Sequence, residues 1–397
     1  MPTPEEHALL SASSAARWLK CTAAPRFEQQ FPESTTEYAE EGRLAHAFCE
    51  LKVLSKFTNQ ITPRTFTTRL NKLRKDPLYT AEMERASDLY IDNLTEQATA
   101  YDAPPSVAAE VRVDFAEVVP EGFGTCDCVM VGGDMLSITD FKYGKGVLVS
   151  AKDNPQMRLY ALGALKRYKP IYGDTISRVR MTIVQPRIDA EFPSSSETIT
   201  VEELQAWGES VAPTAKIAFS GFGKFCPGEH CRFCRGKAQC KARAEEEALV
   251  LTDYVGSVPE ALAGPGSNIS PDEEVGRLLE LGKSLVAWYK DLEEYAFNAI
   301  MDGKPIPGWK VVAGRSVRSF TDQEAAFKAV VDMGYNEALL YERKPKSLTE
   351  IEKLVGKKVF NDTLADFISK PQGKPTLVPE SDKREPYSSA AADFGGV

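Results

Sequence analysis

The chain has 397 residues, 43% of them hydrophobic, with 57 acidic against 48 basic side chains and a net charge of −9. That length allows one sizeable core and a smaller appended unit, because single cores stop growing near roughly 250–300 residues. The acidic balance counts against a simple nucleic-acid binder held by lysine and arginine on phosphates. No run reaches the roughly 18 uncharged apolar residues of a membrane span, and Met1 to Leu10 lacks the basic and apolar regions of a signal peptide. A soluble, cytoplasmic protein with no membrane partner is expected. In that compartment eight cysteines raise the question of metal ligation rather than of disulfides.

Ser13 to Cys21 and Glu37 to Phe57 read as helices; a basic, polar stretch follows, then a helical pattern from Thr80 to about Ala100. The pattern then changes to short alternating runs, Glu110 to Phe115, Gly124 to Val131 and Met135 to Lys142, with a turn at Gly132, Gly133 and Asp134. These predict a small antiparallel sheet. Asn154 and Pro155 start a helix that runs to about Leu165, the amide capping and the proline pre-set for the first turn. Another strand is expected over Arg178 to Gln185. The order strand, strand, strand, helix, strand predicts an α/β (α+β) core with helices packed on a central sheet.

Beyond this core, a domain spanning 1–254, the Gly-, Pro- and Ser-rich segment 255–269 reads as a linker. Ser270 and Pro271 start a long helix to about Met301, opening a mainly helical accessory region over 270–373 with a compact unit from Gly308. Prolines, charges and glycines mark 374–397 as a flexible tail. There is no internal repeat.

Charge is unevenly spread. Phe141 to Arg187 holds ten Lys or Arg and only the acids Asp153 and Asp174, and His230 to Arg243 holds five basic residues and no acid. Either block alone is as readily a solvated helix face as a nucleic-acid surface.

The chemistry-bearing residues concentrate between Gly124 and Tyr160. Strand alternation puts Asp140 and Lys142 on one face. A two-residue turn at Gly133 and Asp134 would set Asp127 opposite Asp140, so that both carboxylates grip one cation; a three-residue turn would separate them. Phosphodiester cleavage needs a hard cation such as Mg²⁺ or Mn²⁺ with oxygen ligands of this kind. Lys142 would orient or deprotonate the attacking water and offset charge on the phosphate. Gln156 and Tyr160, four apart on one helix face, would position a nucleic-acid strand. His46 shares a helix stripe with Gly42 and Glu50, and Glu110 is a weaker further acid.

Cys231-x-x-Cys234 followed by Cys240 is a metal-ligand spacing. A fourth ligand could be Cys21, Cys226 or His230, and spacing alone does not choose. Zinc suits four such ligands. Cys126 and Cys128 alternate with Asp127 and, like Cys49, read as core.

In its order of motifs, from about Arg17 to Arg243, the sequence resembles RecB-like PD-(D/E)xK nucleases. His46 matches the helical histidine, Gly124 with Asp127 the Gly-x-x-Asp strand, Asp140 with Lys142 the (D/E)xK strand, and Gln156 with Tyr160 the Gln-x-x-x-Tyr helix. The resemblance implies a restriction-endonuclease-like core with a mixed sheet flanked by helices, catalytic Asp127, Asp140, Lys142, Gln156 and Tyr160, and His46 as an extra metal ligand that favours Mn²⁺. It also implies a [4Fe-4S] cluster on Cys21, Cys231, Cys234 and Cys240, joining the N-terminal helix to the end of the core. The whole chain, including Gly308-Trp309-Lys310 and the stretch from Pro375 to Arg384, is similar to a phage and prophage family known only as a domain of unknown function. That likeness implies phage DNA recombination, replication or repair in the host bacterial cytoplasm, on DNA ends or single strands, with a phage single-strand-binding or recombination protein as partner. Two rival readings keep the same residues: a non-catalytic DNA-binding or recombination-mediator protein, and a scaffold in which 270–397 does the work.

Overall fold

The computed structural model describes residues 8–32, 37–188, 194–262, 272–312, 322–333 and 336–341, with the isolated positions 351, 356 and 364. The predicted helix over Ser13 to Cys21 is divided: a 3₁₀ turn at Ala12–Ser14 leads into α1 (Ala15–Trp18), and α2 (Ala24–Glu28) follows. The hydroxyls of Ser11 and Ser14 bond locally, Ser14 Oγ donating to Ser11 O at 3.1 Å; such local bonds compete with a continuous helix. α3 (Glu37–Phe57) has the predicted bounds, and α5 (Ala81–Thr99) nearly so. Between them α4 (Pro63–Leu73) occupies the basic, polar stretch. Thr62 caps it by accepting from Thr65 N, and Pro63 suits its first turn; Phe66, Leu70 and Leu73 recur at helical spacing, Leu70 and Leu73 packing against the α3 and α5 cluster, a pattern that the basic and polar composition of the stretch hides.

The sheet has five strands in the order β1-β2-β3-β4-β5: Ser106–Asp114, Phe123–Gly132, Met135–Phe141, Arg178–Val184 and Ser194–Thr200. It is mixed, as the resemblance implies, and its first three strands are antiparallel, as their spacing predicts. β1, β2 and β3 form an antiparallel meander, α6 (Pro155–Tyr172) carries the chain over to β4, parallel to β3, and β5 returns antiparallel to β4. β5 escaped the sequence reading because it is an edge strand of Ser, Thr and Glu with one isoleucine. α7 (Val201–Ser220) follows, opened by a capping box between Thr200 and Glu203.

Two apolar clusters cover the two faces. One joins α6, α7 and the N-terminal turns to Val111, Val113, Cys126, Val129, Leu136 and Ile138. The other joins α3 and α5 to Cys128, Met130, Phe141 and Tyr143. β3 is buried along its whole length, so the residues it carries at its end sit on a rigid support.

α8 (Lys241–Leu262) runs into the segment read as a linker, whose remainder, 263–269, lies outside the described residues. α9 (Asp272–Met301) is the long helix expected from Ser270 and Pro271. Contacts divide the chain into two compact units, Met1–Val311 and Val312–Val397, so α9 goes with the sheet. In the second unit, α10 (Gln323–Asp332) is capped by Asp322, and Phe327 meets Tyr341 edge-on at 5.3 Å. The predicted tail 374–397 lies outside the described residues.

Candidate functional site

The hairpin has the register on which a shared cation site depends. β2 and β3 pair from Gly132↔Met135 to Cys128↔Thr139, leaving Gly133 and Asp134 as the two-residue turn. Gly133 takes φ 55, the left-handed conformation such turns require. One step further along the same register sets Asp127 opposite Asp140.

At that step the alternation of β2 breaks. Cys126 packs with the α6 face and Cys128 with the α3 and α5 face, so the two thiols, both core as expected, lie on opposite sides of the sheet rather than on one. The partner strand does the same: Val111 joins the first cluster and Ala109 packs against the second. Between them Glu110 takes φ 50, a left-handed conformation that costs a non-glycine residue on the order of 1 kcal/mol and is found where structure around it holds it. The break lets Asp127 face His46 of α3 while Asp140 faces α6.

The side chains form a continuous chain of contacts. His46 Nδ1 lies 3.3 Å from Asp127 Oδ1, and the Phe141 N–H donates to Asp127 Oδ2 at 2.7 Å. Lys142 Nζ is 3.0 Å from Asp140 Oδ2 and donates to Gln156 Oε1 at 3.2 Å. Gln156 Nε2 in turn donates to Asp140 Oδ1 at 3.1 Å and lies 3.4 Å from the Tyr160 hydroxyl. Asn154, capping α6 by accepting from Gln156 N and Met157 N, fixes the direction from which Gln156 enters. Gln185, just beyond β4, accepts from Val149 N at 3.1 Å and donates to the carbonyls of Gly144 and Val147 at 3.1 and 2.7 Å. It pins the loop that follows Lys142, a role no spacing in the sequence announces.

Burial and neighbouring charge shift the acids in opposite directions. Burial weighs most on Asp127 and disfavours its charge, yet His46, the Phe141 N–H and Lys142 together hold its pKa below the usual range. At Asp140 burial again weighs most and, with the Asp127 charge, outweighs Lys142 and pushes the pKa up. Glu110 is raised to about 7 by burial and by Asp127. Burial works against the His46 imidazolium, but Asp127 overrides it and raises the pKa to about 9. Lys142 resists the same burial through Asp140 and Asp127 and is held above its usual value, so it is an ammonium.

These groups fit a divalent cation. Ligand atoms of His46, Glu110 and Asp127 all lie within 4.8 Å of one another, close to the roughly 4.4 Å that two donors at about 2.2 Å from one ion can span, so that a bound ion would draw them slightly together. Asp140, only 4% exposed, holds its Oδ2 against the Lys142 ammonium at 3.0 Å. A carboxylate so buried is costly unless a cation meets it, and the Lys142 ammonium supplies one.

Three arginines of the first basic block are paired within the fold. Arg158 pairs with Asp153 and Glu197, Arg178 with Asp134, and Arg187 with Glu82. The arginines of the first block are thus mainly fold-holding.

A second constellation lies where the chain's beginning meets the end of the core. Cys21, Cys226, Cys231, Cys234 and Cys240 line one small cavity together with Arg17, His230 and Lys237; its volume is about 20 Å³. Two glycines permit the approach. A Cβ on Gly223 would lie 2.2 Å from the Thr22 carbonyl, and one on Gly236 would lie 2.2 Å from Phe27 Cε1. Cys21 Sγ accepts from Cys226 N at 3.5 Å, whereas the His230 Nε2 atom lies 2.8 Å from the Cys226 carbonyl. Burial, with Glu28 next, raises Cys234 to about 12, and burial also raises Cys231. Cys49, like Cys126 and Cys128, is a core thiol.

Residues 7–385 match the family described as Protein of unknown function (DUF2800). The chain belongs to the DUF2800 family. This member is similar to two solved structures: that of LHK-Exo in complex with dAMP, at 12% identity over 46% of this chain and 94% of that one with a TM-score of 0.23, and that of SSO0001, at 10% identity over 57% and 96% with a TM-score of 0.25. Among the described residues of this DUF2800 chain, no helix is long and apolar enough to cross a membrane.

Proposed function

We propose that this chain is a divalent-metal-dependent DNA nuclease, an exonuclease acting on DNA ends or single strands in phage DNA recombination, replication or repair. The observation that carries the reading is the convergence of the His46, Glu110 and Asp127 donor atoms beside the bonded set Asp140, Lys142 and Gln156. His46, Asp127, Asp140 and Glu110 would hold Mg²⁺ or Mn²⁺, the imidazole favouring Mn²⁺. When bound, the cation polarises the phosphate and lowers the pKa of a water molecule.

The protein's own groups do the rest. Lys142, kept charged by Asp140, donates to the attacking water and offsets charge that builds on the phosphate. Gln156 bridges Asp140, Lys142 and Tyr160 and keeps the ammonium from turning away. Burial, then the Asp140 charge, raises the Tyr160 pKa, so the side chain remains a neutral phenol that can donate to a phosphate or lie against a base.

The cysteine site supports a [4Fe-4S] cluster on Cys21, Cys231, Cys234 and Cys240. Its preference over a zinc ion, which four such thiols also suit, rests on the resemblance to cluster-bearing RecB-like nucleases. The N–H to sulfur contact on Cys21 favours it over Cys226 and His230 as the fourth ligand.

The test is anaerobic purification with a visible spectrum, then incubation of end-labelled single- and double-stranded DNA with Mn²⁺ or Mg²⁺, comparing the natural chain with Lys142→Ala. Brown protein and metal-dependent cleavage that the variant loses support the reading. Salt-sensitive binding without cleavage supports the mediator instead, and a colourless protein with bound zinc replaces the cluster.

A further inference from the structure

We propose that α9 is a working part of the cysteine site, with Asp291 and Tyr295 as positioning residues that hold the segment carrying Cys240 against the other thiols; this rests on the cofactor reading above. Asp291 Oδ1 lies 2.6 Å from Lys237 Nζ, and its Oδ2 accepts from Arg243 Nη1 at 2.7 Å. Four residues on, and so on the same face of α9, the Tyr295 hydroxyl accepts from Gln239 Nε2 at 2.7 Å and from Lys304 Nζ at 2.8 Å. Lys237, Gln239 and Arg243 straddle Cys240. One face of one helix therefore grips the segment at three points.

The Asp291 half of the grip is largely covered, whereas the Tyr295 half lies at the surface. The side chains of Arg243 and Asp291 are 8% and 15% exposed, and Lys237 itself lines the cysteine cavity. A half-buried carboxylate meeting two cations restrains both when the bonds are made, and its removal leaves the Arg243 charge, itself 8% exposed, without its partner. The other end of the segment is held in the same manner. Glu28, 5% exposed, accepts from Arg235 N at 2.8 Å and pairs with Arg17 at 3.0 Å, while Arg17 donates to the Phe233 carbonyl at 3.0 Å. One carboxylate thus fixes the Cys231 and Cys234 turn to the Cys21 region, and the other fixes the Cys240 end to α9.

The clamp also meets the charge of the site. Four cysteines ligating a metal group would be thiolates and concentrate negative charge in one cavity, and Asp291 keeps the Lys237 ammonium beside them. Outer contacts of this kind typically change metal affinity by about ten- to a hundredfold when removed.

The experiment compares the natural chain with Asp291→Asn, Asp291→Glu and Tyr295→Phe. Iron and zinc content and the rate of metal loss to a chelator are measured on the protein as isolated. Alkylation of each cysteine by iodoacetamide is then followed by mass spectrometry on the metal-stripped protein, with circular dichroism and melting as controls. Metal loss in Asp291→Asn is expected to be about tenfold faster, with Cys240 alkylated several-fold faster, Cys49 unchanged, the melting of the core retained, and much of the effect restored by Asp291→Glu. Tyr295→Phe, which changes no charge, is expected to shift Cys240 in the same direction by less, and it decides the matter if Asp291→Asn fails to fold. Natural metal retention together with natural Cys240 reactivity in Asp291→Asn and Tyr295→Phe overturns the proposal. A natural chain without iron or zinc would instead remove the cofactor reading, and the alkylation comparison would still decide the clamp.

Discussion

Gly124 and the Tyr160 ring compete for one volume: a Cβ on Gly124 would lie 2.7 Å from Tyr160 Cε1. The absence of a side chain on β2 is therefore what allows Tyr160 to lie over the strand within 3.4 Å of Gln156 Nε2. Gly124→Ala is expected to displace the ring and with it Gln156. Cleavage should fall by about tenfold or more, mostly in kcat, because a small misplacement of a positioning group is costly, while the melting temperature changes little. Steady-state kinetics beside thermal unfolding checks this; a large melting shift with unchanged kcat would count against a positioning role.

Removing the charged partners should separate chemistry from folding. Lys142→Ala and Asp140→Asn are each expected to lower metal-dependent cleavage by about a hundredfold or more, with the sheet intact by circular dichroism. The two differ in metal binding: Asp140→Asn removes a proposed ligand and should weaken Mn²⁺ binding in calorimetry, whereas Lys142→Ala removes a nearby positive charge and should not. Full activity in both variants would falsify the nuclease assignment.

The proposed metal centre should be proton-linked. His46 is raised to about 9 by Asp127 against burial, and Glu110 to about 7 by burial and Asp127. At pH 7 a cation taken by both must displace about one and a half protons, one from His46 and about half of one from Glu110. Calorimetry in buffers of different ionisation heat reads that release, and apparent affinity should climb as the pH rises towards 9. For the metal-free chain the sign is the reverse. A folded pKa above the unfolded 6.5 gives stability that is fully present below that value and lost as the pH rises through about 9. Melting of chelated protein should fall over this interval, and His46→Gln should flatten the trend.

Much of this site was legible because its signals are local. Asp140 and Lys142 stand two apart on a strand that reads as one, Gln156 and Tyr160 stand four apart behind an Asn-Pro helix start, and Gly133 and Asp134 set the register. What escaped depends on partners distant in sequence. The switch of faces at Glu110 and Asp127 comes from one residue held at φ 50, and nothing in Ala109-Glu110-Val111 announces it. β5 escaped for the opposite reason: an edge strand of Ser, Thr and Glu with one isoleucine lacks the apolar periodicity from which elements are read, whereas α4 has it in Phe66, Leu70 and Leu73 but is hidden by the polar and basic residues between them. Glu28 and Asp291 are ordinary helical acids until folding brings Arg235 and Arg243 to them.

The approach of the N-terminal segment to the cysteine loop rests on missing side chains at Gly223 and Gly236, and the two positions predict different outcomes. A Cβ on Gly223 meets backbone, the carbonyl carbon and oxygen of Thr22 at 2.2 Å and Ala23 N at 2.6 Å, and backbone so placed cannot rotate aside. One on Gly236 meets the rings of Phe27 at 2.2 Å and Phe31 at 2.5 Å, which can turn at the cost of their edge-on contact, 5.0 Å between centroids. Overpacking of this kind costs about 1–3 kcal/mol. Gly223→Ala should therefore lie at the upper end and separate Cys21 from the other thiols, so that cofactor content falls. Gly236→Ala should lower the melting temperature while keeping more of the cofactor. Metal analysis beside thermal unfolding of the two variants distinguishes them. Equal cofactor retention in both would mean that Cys21 is not a ligand, and that the site closes instead on Cys226 or His230.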